Sequence, residues 1–172
     1  MYALVVESSG HACHLQVQLL LVMWVIAVAP PRQPAADTAL STAAAVLLLG
    51  YACSAAYRVA HHPLAIVTGD ALYWLAVKRS VIEGSGALAE LLLAQRWLAL
   101  PLQIAAAVAT GFELAAPLAL GSPRFRRLWV SFALLFHAVN AAFLQIVFWQ
   151  QAVLVVVLLT PVVTLVRRRR SP

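Results

Sequence analysis

Five apolar segments follow one another along the chain, separated by shorter polar stretches. They are Leu15–Pro30, Ala39–Tyr57, Leu98–Leu120, Leu128–Phe148 and Trp149–Val166. A helix that crosses a membrane needs about 20 predominantly apolar residues. The third and fourth segments meet this length, whereas the first is short and the fifth is short unless its tryptophan lies at the membrane interface. The pattern predicts an all-α integral membrane protein, a bundle of about five transmembrane helices.

The stretch between the second and third segments has a different character. Arg58–Trp97 carries charged residues of both signs and two histidines, so it is not a simple span. Thr68 is a candidate N-cap for a helix that runs to about Arg79, and Ser85 for one that runs to about Arg96. We expect one or two amphipathic helices here, lying at the outer surface or folding back over the bundle.

Composition agrees with a membrane protein. Hydrophobic residues make up 63% of the 172 residues and charged residues only 10%, against about 25% charged residues in soluble domains. We expect one transmembrane domain, residues 1–166, and a basic cytoplasmic tail, residues 167–172. The net charge of +6 does not indicate a nucleic-acid partner, because four of the twelve basic residues lie in that tail. Two cysteines give no disulfide framework.

The distribution of basic residues predicts an orientation. With five spans and the C-terminus inside, eight of the twelve Lys and Arg residues lie in cytoplasmic segments and four lie outside. Positively charged residues are retained on the cytoplasmic side of most membrane proteins. The expected location is therefore a bacterial inner membrane, with the N-terminus outside and the C-terminus inside.

Two ionisable residues lie inside the longest apolar segments. Glu113 is the one acid in the third segment and His137 the one histidine in the fourth. A charged group in hydrocarbon costs several kcal/mol or more, so such residues usually face a bundle interior. We predict that the two face each other there and carry acid–base chemistry. A structural hydrogen bond between helices, from glutamate to histidine or arginine, is the alternative. Pro117 should also leave the Glu113 carbonyl without its i+4 donor.

Further polar residues lie on helix faces that could contact a ligand. Asn140 lies one turn after His137, and Gln145 follows on the same face. Tyr51, Ser54 and Arg58 form a polar stripe at the end of the second segment, suited to an anion or headgroup. We predict that Arg58, Tyr51 and Asn140 bind a ligand, with interfacial snorkelling of Arg58 as the alternative. The histidines and cysteine of residues 11–14 lack a fourth ligand, so no metal site is predicted.

Two blocks of the sequence resemble a known family. YACSAAYRVAHHPLAIVTGDALYWL, from Tyr51 to Leu75, is similar to a segment of the horizontally transferred transmembrane (HTTM) domain family. GFELAAPLALGSPRFRRLWVSFALLFHAVNAAFLQIVF, from Gly111 to Phe148, resembles the block of that family with a glutamate, a proline-arginine turn and a Phe-His pair. The family is related to the vitamin-K-dependent gamma-carboxylases.

The resemblance implies a membrane core of HTTM type whose activity is undetermined. In the carboxylases a membrane lysine acts as the base toward reduced quinone, and an alignment on Gly69 places Arg58 at that position. An arginine cannot be deprotonated in a protein, so we do not expect peptide carboxylation. An alignment on Glu83 and Gly84 would place Lys78 or Arg79 there instead.

Two functions remain open from the sequence. The first is quinone- or lipid-linked redox chemistry in an intramembrane cavity, with the lipid bilayer around the protein and a quinone as the possible cofactor. The second is a non-catalytic, DoxX-like membrane subunit that accompanies a redox protein. The sequence does not decide whether the chain is an enzyme.

The predicted orientation can be measured with reporter fusions. A cytoplasmic reporter fused after Arg170 should be active, and a periplasmic one silent, because the basic tail is retained inside. Strong activity of the periplasmic reporter at this position would reject the orientation.

Overall fold

All the secondary structure in the described part of the chain is helical. The structure is a computed structural model, and it describes residues 20–25, 27, 28, 33–61, 63, 90, 91, 94–143 and 148–160. Residues 20–25, 27 and 28 are helical, and the elements that follow are α1 (Gln33–His61), a 3₁₀ turn (Arg96–Leu98), α2 (Ala99–Leu114), α3 (Leu118–Gly121), α4 (Pro123–Phe143) and α5 (Trp149–Leu159). These ranges contain no strand, so the predicted all-α class is confirmed for them.

The second apolar segment corresponds to α1, which extends beyond the predicted segment at both ends. Within α1, the 25 residues Asp37–His61 form the one described helix long and apolar enough to cross a membrane. Shorter apolar helices cover Leu100–Leu114 and Trp149–Leu159. By length and composition alone, the described ranges therefore supply one candidate span. The five-span arrangement is taken up under the proposed function.

The third apolar segment is broken rather than continuous. α2 ends at Leu114, a turn covers residues 115–117, and α3 follows as a single short turn of helix. Pro117 lacks an N–H and cannot continue the ladder of i to i−4 hydrogen bonds. The turn is closed by i to i−3 bonds instead, among them Leu118 N to Ala115 O at 3.0 Å.

The fourth segment begins earlier than predicted because its start carries helix-initiating residues. Ser122 precedes α4, and its Oγ accepts a hydrogen bond from Phe125 N at 3.3 Å. Pro123 occupies the first helical position, where its missing N–H has no cost. The side chain of Arg126 extends toward α3. Its Nε donates to Ala119 O at 2.8 Å, which satisfies a free carbonyl of α3.

Several predicted elements lie outside the described residues. These are the amphipathic helix predicted from Thr68, most of the one predicted from Ser85, the histidine-cysteine group at residues 11–14, Gln145, and the basic tail from Arg167; residues 90, 91 and 94, within the second predicted helix, are helical.

One face of α1 forms the centre of the core. α1 packs against α2 and α5, and α4 packs against α3 and α5. The buried side chains of α1 recur at helical spacing and meet buried residues of the other helices; the cluster comprises Ala44, Leu47, Leu48, Tyr51, Ala116, Ala119, Trp129, Val130, Ala133, Val155 and Leu159. Small residues at many of these positions let the helix backbones approach closely.

Burial on α1 predicts different stability effects for alanine substitutions at two leucines that lie two residues apart. Leu47 is fully buried, whereas Leu49 is 50% exposed. Leu47→Ala should lower the free energy of unfolding by about 2–5 kcal/mol, because it leaves a cavity. Leu49→Ala, the matched control, should change it by about 0.5 kcal/mol or less. Thermal and denaturant unfolding in detergent measure both, and equal losses would contradict this packing.

Candidate functional site

Two polar side chains leave α1 from its buried face. Tyr51 and Arg58 lie seven residues apart, which is two helical turns and about 10 Å along the axis. Ala55, fully buried, lies between them. Because residues at i, i+4 and i+7 share one face of a helix, both polar groups point toward the neighbouring helices.

Tyr51 connects α1 to α4. Its Oη and the Nε2 of His137 share a hydrogen bond of 2.6 Å. Both residues are buried, at 8% and 6% exposed. The tautomer of His137 decides which group donates. When the tyrosine hydroxyl donates to Nε2, the other ring nitrogen, Nδ1, carries the imidazole proton.

Aromatic rings surround His137 on several sides. The ring centroids of Tyr51, Phe136 and Phe148 lie 6.1, 5.6 and 5.9 Å from that of the imidazole, all in edge-to-face arrangements. The Nδ1 atom is buried and has no hydrogen-bond partner within the described part of the chain. A buried polar atom without a partner is costly, and in the described ranges Nε of Arg58 is buried without a hydrogen-bond partner as well.

Arg58 connects α1 to α2. Its Nη2 forms an ion pair with Oε2 of Glu113. Glu113 is buried, while the Arg58 side chain is 29% exposed. This is the contact from glutamate to arginine that was the alternative to a site shared by Glu113 and His137. The pairing also places Arg58 among the groups that hold helices together.

Trp129 connects α4 to α2. In the turn after α2, Ala116 N donates to Glu113 O at 3.2 Å, three residues back, instead of to the Phe112 carbonyl. The indole Nε1 of Trp129 donates to that Phe112 carbonyl at 2.9 Å. The missing N–H of Pro117 predicts a free Glu113 carbonyl. The shift to i−3 bonding satisfies Glu113 O and frees the carbonyl of the preceding residue instead.

The three contacts close a triangle among three helices. Arg58–Glu113 joins α1 to α2, Tyr51–His137 joins α1 to α4, and Trp129 with the Phe112 carbonyl joins α4 to α2. The rings of Tyr51 and Trp129 also make an edge-to-face contact, with centroids 5.0 Å apart and an interplanar angle of 81°. We call these contacts the polar triangle.

The predicted site residues fall into two groups. Glu113 and His137 are both buried as expected, but each has its own partner on α1 rather than the other. Asn140 is half-buried one turn after His137. The acid–base roles predicted for Glu113 and His137, and the ligand roles of Arg58, Tyr51 and Asn140, stay predictions.

Trp129 was not singled out from the sequence, although a signal for it existed. Trp129, Ala133 and His137 recur every four residues on α4 and are all buried. A buried tryptophan needs an acceptor for its N–H, and the turn before Pro117 offers one. In the described ranges, no group of three or more His, Cys, Asp or Glu residues could hold a metal ion.

No family model, curated protein or solved structure matches the chain. The likeness to the HTTM family therefore remains a hypothesis that rests on the residues quoted above.

The ion pair predicts coupled effects of substitution on stability. Arg58→Met and Glu113→Gln should each lower the free energy of unfolding by about 1–3 kcal/mol, between the values for exposed and fully buried pairs. The free energy of unfolding of the double variant should fall by less than the sum of the two single losses, because the first substitution has already broken the contact.

Thermal unfolding in detergent, monitored by circular dichroism, measures this coupling. Arg124→Met, at an exposed arginine, is the matched control and should change stability by about 0.5 kcal/mol or less. Strictly additive losses for Arg58 and Glu113 would contradict an energetic contact between them.

Proposed function

We propose that the chain is a polytopic integral membrane protein of HTTM type that binds a quinone-sized ligand between its helices, beside His137. The proposed location is a bacterial inner membrane, with five spans and a cytoplasmic C-terminus. The observation that carries the ligand proposal is Nδ1 of His137, which is buried among aromatic rings and has no hydrogen-bond partner among the described residues.

The outer faces of the helices support the membrane location. Large apolar side chains are exposed on α2, α4 and α5; examples are Leu100, Ile104, Val108, Leu128, Leu135, Val139, Val153 and Val157. Soluble proteins rarely expose contiguous apolar surface of this extent. With hydrophobic residues at 63% of the chain, hydrocarbon is the solvent that suits these faces.

The break in the third apolar segment is compatible with a span. Proline is tolerated inside transmembrane helices when neighbouring groups satisfy the freed backbone carbonyls. Trp129 satisfies the Phe112 carbonyl, and Arg126 donates to the carbonyls of Ala119 and Leu120. α2, the turn and α3 are therefore proposed to cross together as one broken helix.

The chemistry around His137 suits a ring that carries carbonyl oxygens. A quinone offers a flat π-face to the aromatic side chains and an oxygen that accepts a hydrogen bond. The Nδ1–H of His137 would donate to that oxygen, with Tyr51 holding the opposite nitrogen. Asn140, one turn along α4, is the proposed second donor. A neutral imidazole can also pass a proton to a reduced ring oxygen.

The Arg58–Glu113 pair has a different role from His137 in the proposed function. It lies two helical turns from Tyr51 along α1. A carboxylate held by a guanidinium takes up a proton only when the ion pair opens, so we assign acid–base work first to His137. Arg58 remains a fixed cation that can stabilise an anionic form of the ligand.

A non-catalytic membrane subunit, DoxX-like, is the second candidate. The observation that favours it is the polar triangle, in which most of the buried polar groups satisfy one another across helices. Such contacts can hold a bundle together without any ligand.

Quinone binding separates the two candidates. Titration of the purified protein with a short-chain benzoquinone should quench tryptophan fluorescence saturably, because Trp129 lies beside Tyr51. His137→Gln should weaken binding about tenfold, the effect of losing about 1.4 kcal/mol. His61→Gln, at an exposed histidine, is the control and should bind like the wild type. Absence of saturable quenching in the wild type would reject the quinone site and favour the subunit.

A further inference from the structure

Trp129 is a buried residue whose position is determined by a polar contact. It is 1% exposed and is the largest of the fully buried side chains in the described part of the chain. Its N–H donates to the Phe112 carbonyl, which is available because the turn before Pro117 has shifted to i−3 bonding. The indole is therefore held at one end by a backbone group of α2.

The other side of the indole meets Tyr51. The two rings are in an edge-to-face arrangement with centroids 5.0 Å apart, a geometry that aromatic pairs prefer. The hydroxyl of Tyr51 reaches His137 at 2.6 Å. The tyrosine is thus held at two points on α4, its ring against Trp129 and its hydroxyl on the histidine two turns further along.

We propose that Trp129 is a positioning residue: anchored on the Phe112 carbonyl, it holds Tyr51 where the hydroxyl engages Nε2 of His137. The hydrogen bond at Nε2 fixes the imidazole orientation and leaves Nδ1 as the nitrogen that faces a ligand. The inference depends on the proposed quinone function only for its effect on ligand affinity. The effect on His137 itself is independent of any ligand.

A purely structural tryptophan would contribute to stability without affecting the imidazole. The distinguishing readout is therefore the side-chain ¹⁵N resonances of His137, which report tautomer and hydrogen bonding. In protein labelled with ¹⁵N-histidine, the His137 signals are those that His137→Gln removes. Tyr51→Phe defines their positions when the hydrogen bond is absent.

Trp129→Phe tests the anchor, because it keeps an aromatic ring and removes the N–H. The His137 resonances should move toward those of Tyr51→Phe. Benzoquinone affinity, measured by equilibrium dialysis because this variant lacks the quenched indole, should fall about fivefold, the effect of losing about one hydrogen bond. The double variant Trp129→Phe/Tyr51→Phe should lose little more benzoquinone affinity than either single variant. Trp97→Phe, at a tryptophan that is 68% exposed, is the matched control and should leave the resonances unchanged.

Pro117→Ala tests the same inference without touching the tryptophan. Alanine restores an N–H that can donate to the Glu113 carbonyl, so Ala116 N becomes free to donate to Phe112 O and competes with Trp129. The His137 resonances should shift in the same direction as in Trp129→Phe. This variant keeps the test decisive if Trp129→Phe does not fold.

The outcomes separate this inference from the proposed function. Unchanged His137 resonances in a folded Trp129→Phe or Pro117→Ala protein would overturn the positioning role, whatever the quinone affinity. Shifted resonances in a protein whose wild type binds no quinone would uphold the positioning role and reject the quinone function.

Discussion

A proline without an N–H at position 117 is the constraint on which the arrangement of the site depends. The helix that carries Glu113 cannot continue through it, so the last turn closes with i−3 hydrogen bonds and one carbonyl, that of Phe112, loses its helical donor. In an apolar setting that carbonyl needs another partner. Trp129 supplies it, and the position of the indole in turn limits where the Tyr51 ring can lie. A local backbone defect thus determines the geometry of side chains on two other helices.

Burying each of these polar groups alone would cost free energy, and pairing them offsets that cost. An unpaired glutamate or arginine in a low-dielectric interior would lose several kcal/mol of hydration free energy. Arg58 and Glu113 offset this cost by pairing, and the exposed part of the Arg58 side chain keeps some hydration. In the described ranges, Nδ1 of His137 and Nε of Arg58 are both buried without a hydrogen-bond partner, although each side chain has another nitrogen that is paired. The histidine differs from the arginine in its neutral partner and in the aromatic rings around it.

Much of this site could be predicted from residue type and helical spacing. Glu113 and His137 were singled out because each is an isolated ionisable residue within an apolar run. Tyr51 and Arg58 followed from their two-turn spacing, and all four meet another member of the set. The helical class followed from the apolar segments. The helix ends were less predictable, since the break after Leu114 depends on how the turn around Pro117 closes.

The pairing itself could not be predicted from one sequence, because it depends on which neighbouring helix each polar face meets. Periodicity places a residue on a face of its own helix and says nothing about the neighbour that the face meets. With α2 and α4 adjacent through their polar faces, Glu113 would have met His137. Instead both residues meet the polar stripe of α1, in which a buried alanine lies between Tyr51 and Arg58. Two polar residues of α1 therefore each pair with one of the two ionisable residues, which leaves the histidine with a neutral partner and the glutamate with a charged one.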